Sequence, residues 1–368
     1  MIETPISVKE PPKKIPYIYL NFGSDPEFFF CKKTAFGRKG AVVGSEKILP
    51  EGGLVLQGRS KASIVRDGVQ AELNPVQNTC RQRCANEIAS NFRTIAELVK
   101  TKKVTINWNP IVRVTKSEMD SLSPKSKIFG CMPSKNAYEE KVEQPDAATY
   151  PFRSAGGHIH IGYVYPTGQD QARDILTKEN SNDVVKILDI IVGNTCVLID
   201  RHPGNIERRK AYGRAGEYRK PSHGIEYRVL SNFWLQNYVL MSMAYGLVRL
   251  GINMFALPEA REALMAAVTE ENIRNAINNN DFELAMKNFK KIKPIIEKFS
   301  TSNHSLHRSN LKAFNHFVCR GIKKWFKGDP LKHWTSPTWS SQGGLGWESF
   351  LEGIVEQDMK NEKATKIS

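Results

Sequence analysis

The chain has 368 residues, with 53 Lys and Arg against 38 Asp and Glu, a formal net charge of +15. Apolar residues make up 40% and charged residues 25%, near the globular average, which excludes wholesale disorder and leaves enough apolar surface for a sizeable core. No run approaches the roughly 18 apolar residues of a membrane span, and the start MIETPISVKEPPKK has no apolar secretion core. The expectation is therefore a soluble cytoplasmic protein without a membrane partner. Six cysteines scattered over this length predict reduced thiols, because disulfide scaffolds are short and cysteine-dense.

Residues 1–16, with Pro5, Pro11, Pro12 and Pro16 among lysines, read as an extended N-terminal arm. From Tyr17 to about Pro133 short strands alternate with glycines, interrupted by one helix over about 78–100. In that helix Ala85, Ile88, Phe92, Ile95 and Val99 recur at helical spacing. Residues 134–152 read as a polar loop leading into RSAGGHIHIGY. Val184, Val185, Ile187, Leu188, Ile191, Val192 and Cys196 predict a buried helix over 182–199. The Gly- and Arg-rich stretch over 201–224 is too long for an ordinary connector and reads as a functional loop. The strand GIEYRVL follows, and helices dominate beyond Ser231. The chain thus divides into the arm (1–16), a catalytic domain (17–255) and a basic, helical C-terminal region (256–368).

Chemistry concentrates in four strand-like segments where polar and apolar side chains alternate. Alternation puts Asp25 and Glu27 on one face, Glu72 with Gln70 and Asn74, His158 with His160, and Glu226 with Arg228. Any half-solvated antiparallel sheet alternates in this way. Solvated faces, however, usually carry Lys, Thr and Ser, whereas these carry carboxylates, imidazoles and an arginine. Gathered on one surface, Asp25, Glu27, Glu72 and Glu226 would repel unless cations were bound, and Mg²⁺ or Mn²⁺ suits hard carboxylate oxygens. The His158/His160 pair equally fits a zinc or iron hydrolase. Arg208, Arg209, Arg214, Arg219 and Arg228 supply anion binders, and no P-loop sequence is present, so a nucleotide would be held by metals and arginines. The basic stretches KNFKKIKPIIEKF and CRGIKKWFKG leave a non-catalytic nucleic-acid-binding protein as a third reading.

The stretches GSDPEFFF, DGVQAELNP, SAGGHIHIG, RRKAYGRAGEYR and GIEYRVLSNFWL, in this order over residues 20–236, resemble the carboxylate-amine ligase superfamily of glutamine synthetase and glutamate-cysteine ligase. The resemblance is greatest to its phage-type branch, COOH-NH2 ligase type 2, or type 2 amidoligase. It implies an α+β fold, with a curved antiparallel sheet forming a glutamine synthetase-like partial barrel, flanking helices and a helical C-terminal region. It implies an ATP-dependent ligase that forms an amide through an acyl phosphate and releases ADP and phosphate. The metal ligands it implies are Asp25, Glu27, Glu72, His158 and Glu226. His160, Arg209 and Arg228 would contact the nucleotide, and Arg228, Arg214, Arg219 and Glu217 would serve catalysis. The 201–224 segment would be a lid over the acyl phosphate. The acid and amine substrates are not specified, a peptide, a protein side chain and a nucleobase being candidates. Completion of the site by a neighbouring subunit and residence in a host cytoplasm also belong to this expectation.

Overall fold

The structure, a computed structural model, describes residues 18–34, 39–128, 134–140, 145–147, 149–163, 170–299 and 328–336. Among them the strands are β1 (Asn21–Ser24), β2 (Glu27–Lys33), β3 (Lys39–Val43), β4 (Ile64–Asp67), β5 (Gln70–Leu73), β6 (Val104–Asn107), β7 (Ile111–Arg113), β8 (Lys135–Asn136), β9 (Phe152–Ser154), β10 (Ile159–Gly162), β11 (Glu217–Arg219) and β12 (Gly224–Tyr227). One sheet has the order β1-β10-β12-β11-β8; the other has the order β3-β2-β5-β4 with β6 also paired to β2, and β7 pairs with β9. These pairings are antiparallel. The fold is α+β, an antiparallel sheet curled into a half-barrel with helices packed on it.

GSDPEFFF is not one strand. Pro26 lacks the N–H that a ladder needs, and Asp25-Pro26 carries the chain from β1 in the first sheet to β2 in the second. Asp25 and Glu27 therefore stand at the seam between the sheets. The β4–β5 hairpin turns through Gly68-Val69, with Gly68 at φ 59°, the left-handed conformation that two-residue hairpins favour.

The helix Arg81–Thr101 buries the expected stripe of Ala85, Ile88, Phe92, Ile95 and Val99. Phe92 meets Phe28, Trp108 and Trp334 at ring separations of 6.0, 5.3 and 6.0 Å, so truncating it to Ala would cost about 3–5 kcal/mol. The helix expected over 182–199 is interrupted: Ser181–Leu188 passes through a π-helical turn, Asp189–Gly193, into Asn194–Val197. Such turns occur where a side chain is re-aimed. Here the buried Asp189 carboxyl accepts hydrogen bonds from Tyr227 Oη (2.7 Å) and the Gly216 N–H (2.6 Å) under the sheet.

Helix Tyr238–Phe255 is long and apolar enough to cross a membrane, but every residue of it is buried within the protein. Its Arg249 donates to the carbonyls of Ile18 (3.3 Å) and Thr79 (3.0 Å), which marks it as a core helix. Helices Pro258–Ala267, Glu270–Asn278, Phe282–Phe299 and Pro330–Thr335 follow. One hydrophobic cluster runs from Ile18 through Ile273, Ile292 and Phe299 to Trp334, so no second core begins near residue 256 among the described residues. The N-terminal arm (1–16), Cys131, Cys319 and residues 319–327 of the second basic stretch lie outside the described residues.

The 201–224 segment departs from its expected form as a loop. It contains the helix Asn205–Ala211 and strand β11, and its centre is buried. Arg208 is the reason. Its guanidinium lies wholly inside, donating to the carbonyls of Val229 (3.1 Å) and Leu230 (2.8 Å). Gly213, at φ 76°, is required beside it, since a Cβ there would come within 2.3 Å of Arg208 Nη1.

Candidate functional site

The first sheet brings Asp25, His160 and Glu226 together. Gly23 faces His160 across β1–β10, His160 faces Glu226 across β10–β12, and Glu226 faces Arg219 across β12–β11. Potential ligand atoms of Asp25, His160 and Glu226 all lie within 4.8 Å of one another. His160 Nε2 is 3.1 Å from Asp25 Oδ2.

The second sheet builds a neighbouring group from Glu27, Asp67 and Glu72, whose ligand atoms satisfy the same 4.8 Å limit. Glu27 pairs with Glu72 across β2–β5, and Asp67 ends β4. Glu27 Oε2 accepts the Gly156 N–H at 2.7 Å. Asp67 was absent from the sequence candidates because Asp-Gly reads as turn chemistry. The signal that could have found it is the hairpin alternation, which puts Asp67 on the same face as Glu72.

The two groups differ electrostatically. Burial opposes ionisation of Asp25, but the His158 and His160 imidazoles outweigh it and hold its carboxyl well below the usual range. Burial pushes Glu27 and Glu72 well above the usual carboxylate range, reinforced for Glu27 by Asp67 and for Glu72 by Asp25 and Asp67. Burial also raises Asp67. Buried carboxyls that disfavour one another's charge fit a divalent cation, which supplies the missing positive charge and takes hard oxygen donors.

The histidines have separate roles. His158 is fully buried, with Nδ1 3.1 Å from Asp25 Oδ1 and Nε2 2.6 Å from Tyr212 Oη. Arg228 Nη2 donates to Tyr212 Oη at 2.8 Å, which leaves the hydroxyl proton for His158 Nε2 and places the imidazole proton on Nδ1, facing Asp25. Gly156 closes over the ring: a Cβ there would lie 2.3 Å from His158 Nε2. His158 thus bridges Asp25 and Tyr212, whereas His160, half-buried, belongs to the donor group. Among the described residues no group of potential ligand atoms within 4.8 Å of one another contains both histidines.

The arginines divide as well. Arg219 clasps Glu226, Nε to Oε2 at 2.8 Å and Nη2 to Oε1 at 2.9 Å. Arg228 lies just past the end of β12, fully buried, with Nη1 2.6 Å from Ser134 Oγ and Nε 3.1 Å from Glu226 Oε1. Glu226 and Arg228, two apart on one face, thus meet directly through their side chains. Arg214 Nε is 3.2 Å from Glu217 Oε1, and the buried Glu217 also accepts the Gly213 N–H at 2.9 Å. Arg209, expected to contact nucleotide, instead donates to Asn280 Oδ1 at 2.8 Å and is lowered to about 10 by burial and by neighbouring Arg208. A cavity of about 720 Å³, lined by Asp25, His160, His223, Arg59, Lys61 and Gln77 among others, opens the first donor group to solvent.

A family model described as phage phiEco32-like COOH.NH2 ligase-type 2 matches residues 145–334. The match takes in His158, His160, Arg208, Arg209, Arg214, Arg219, Arg228, Glu217 and Glu226, and it continues through the helices beyond residue 256. Asp25, Glu27, Asp67 and Glu72 precede it. No curated protein matches the chain.

Proposed function

This chain belongs to the phage phiEco32-like COOH.NH2 ligase-type 2 family, and we propose that it joins a carboxylate to an amine at the expense of ATP, with Mg²⁺ or Mn²⁺, through an acyl phosphate. The observation that carries this reading is the pair of adjacent donor groups, Asp25/His160/Glu226 and Glu27/Asp67/Glu72. The first offers one nitrogen with two carboxylates and the second offers carboxylates alone, both compatible with Mg²⁺ or Mn²⁺. Ions bound there would neutralise phosphate charge during transfer.

On this reading the protein's own part is to hold charge in place. Arg228, fixed by Ser134, Tyr212 and Glu226, is held for the oxygens of a transferring phosphoryl group; Arg219 shares Glu226 with it. Tyr212 and His158 connect Arg228 to Asp25, so the anion binder and the ion ligand are oriented together. Of the two histidines, His160 is the ligand in this proposal. The polar cavity beside it, with Lys61 and Arg59 on its wall, suits an anionic acid substrate, and water must be excluded from an acyl phosphate once formed. Residence in a host cytoplasm and completion by a second subunit complete the proposal.

The test is a screen for ADP and phosphate release over libraries of acids and amines, followed by mass spectrometry of the product. Coupled release that requires both an acid and an amine, with mass conserved as one amide, supports the reading. Stoichiometric, tightly held zinc with hydrolysis and no ATP turnover would replace it with the hydrolase, and steeply salt-dependent nucleic-acid binding alone would replace it with a binding protein.

A further inference from the structure

Gln70 is 8% exposed, and its side-chain carbonyl oxygen has no hydrogen-bond partner. A buried amide oxygen is normally satisfied, so its isolation calls for a ligand. The hairpin register shows where it belongs: Gln70 is the cross-strand partner of Asp67 and precedes Glu72 by two residues. Ala71 and Leu73, on the opposite face, are fully buried in the hydrophobic core. Gln70 therefore shares the face of the carboxyls that form the second donor group.

We infer that the Gln70 side-chain oxygen is a fourth oxygen donor to a divalent cation held by Glu27, Asp67 and Glu72. The inference rests on the proposal that these carboxyls bind metal, and it extends that proposal to a residue outside the carboxylate set. Amide carbonyls are ordinary ligands of hard cations. A neutral fourth donor adds coordination without adding to the repulsion among three carboxyls. It also makes this position all-oxygen, in contrast to the nitrogen-bearing group at His160, so Gln70 tunes it towards Mg²⁺ and Mn²⁺ and away from softer ions.

The experiment titrates the full chain with Mn²⁺, following free ion by electron paramagnetic resonance and heat by calorimetry, in wild type, Gln70→Met, Gln70→Glu and Glu27→Gln. Met keeps the length of the side chain and removes the donor. Gln70→Met should weaken one of two Mn²⁺ sites by about tenfold or more, in the range seen when the surroundings of a metal are altered, with unchanged circular dichroism. The effect should be absent when Gln70→Met is added to Glu27→Gln, since residues serving one ion are not additive. Gln70→Glu should lower the apo thermal midpoint and enlarge the Mn²⁺-induced rise. Wild-type Mn²⁺ affinity in both Gln70→Met and Gln70→Glu would overturn the role of Gln70 while leaving the metal reading intact. No Mn²⁺ binding by the wild-type chain at millimolar concentration would overturn both.

Discussion

Arg219 and Glu226 are cross-strand partners, and their side chains meet through two contacts, Nε to Oε2 at 2.8 Å and Nη2 to Oε1 at 2.9 Å. A carboxylate proposed to hold a cation is therefore already claimed by a guanidinium. Removing that competitor in Arg219→Ala should tighten Mn²⁺ binding by about fivefold or more, since one charge at short range is worth about 1 kcal/mol even in a water-like dielectric. If Arg219 also steadies phosphate, kcat should fall in the same variant. Opposite movements of ion affinity and kcat are the expected result; unchanged Mn²⁺ affinity would show that Arg219 does not oppose the ion.

Glu27→Gln keeps shape and removes charge. Burial and Asp67 push Glu27 upward, so at neutral to alkaline pH its ionised form opposes folding. The variant should raise the apo thermal midpoint by about 2 °C or more near pH 8, since about 1 kcal/mol corresponds to a few degrees in a chain of this size. Turnover should fall at least tenfold, about 1.4 kcal/mol in the barrier. Activity near wild type would remove Glu27 from the site.

Tyr212→Phe and His160→Ala separate positioning from ligation. Losing the hydroxyl frees Arg228 and His158 from each other, which should lower kcat about tenfold while leaving Mn²⁺ affinity within a factor of two or so. His160→Ala should weaken Mn²⁺ by about tenfold or more. The reverse pattern would reassign the ligand to His158.

Asp189 gives a pH dependence away from the two donor groups. Burial raises its carboxyl to about 7, against hydrogen bonds from Tyr227 and Gly216 that favour the ionised form. A carboxyl raised in the folded state contributes stability that is fully present below its unfolded value, near 4, and is lost as pH rises through about 7. Denaturant titrations at pH 5, 6, 7 and 8 should show that decline in wild type and a flatter profile in Asp189→Asn. Parallel profiles would mean that Asp189 does not titrate in this range.

Trypsin offers a test of the lid expected over the 201–224 segment, whose centre is buried. Arg208 and Arg209 are buried and should resist cleavage in the apo protein, because proteolysis needs local opening. Rapid cutting at either, relieved by Mg²⁺ and ATP, would restore the lid.

Much of the ladder was legible because alternation is a local rule. The shared faces of Gln70 with Glu72 and of His158 with His160 follow from alternation along each segment, whereas the pairing of Glu27 with Glu72 and of His160 with Glu226 is a cross-strand register that alternation alone does not set. What alternation could not give was depth: His158 and His160 share a face, yet only the first is closed in, by Tyr212 from more than 50 positions away in the chain and by Gly156. Asp67 was hidden behind its turn-forming glycine, and the π-helical turn at Asp189 was invisible because residues 187–199 are buried on every side, so a shift in period leaves no mark on the apolar pattern. The burial of Arg209 was hidden for a related reason. Charge in an Arg-rich run suggests phosphate, whereas here two of those arginines satisfy oxygen atoms inside the protein.

The single proline between Asp25 and Glu27 acts as a ruler. Each of these residues serves a different donor group, and two peptide steps span at most about 7 Å between Cα atoms. The two groups cannot drift apart without breaking the chain path that joins the sheets, so any flexing of the half-barrel would tilt one donor group relative to the other before it could separate them. On the reading proposed above, a phosphate chain laid across both would meet them at a fixed interval, and lengthening the link by one residue would change that interval while keeping every donor residue in the sequence.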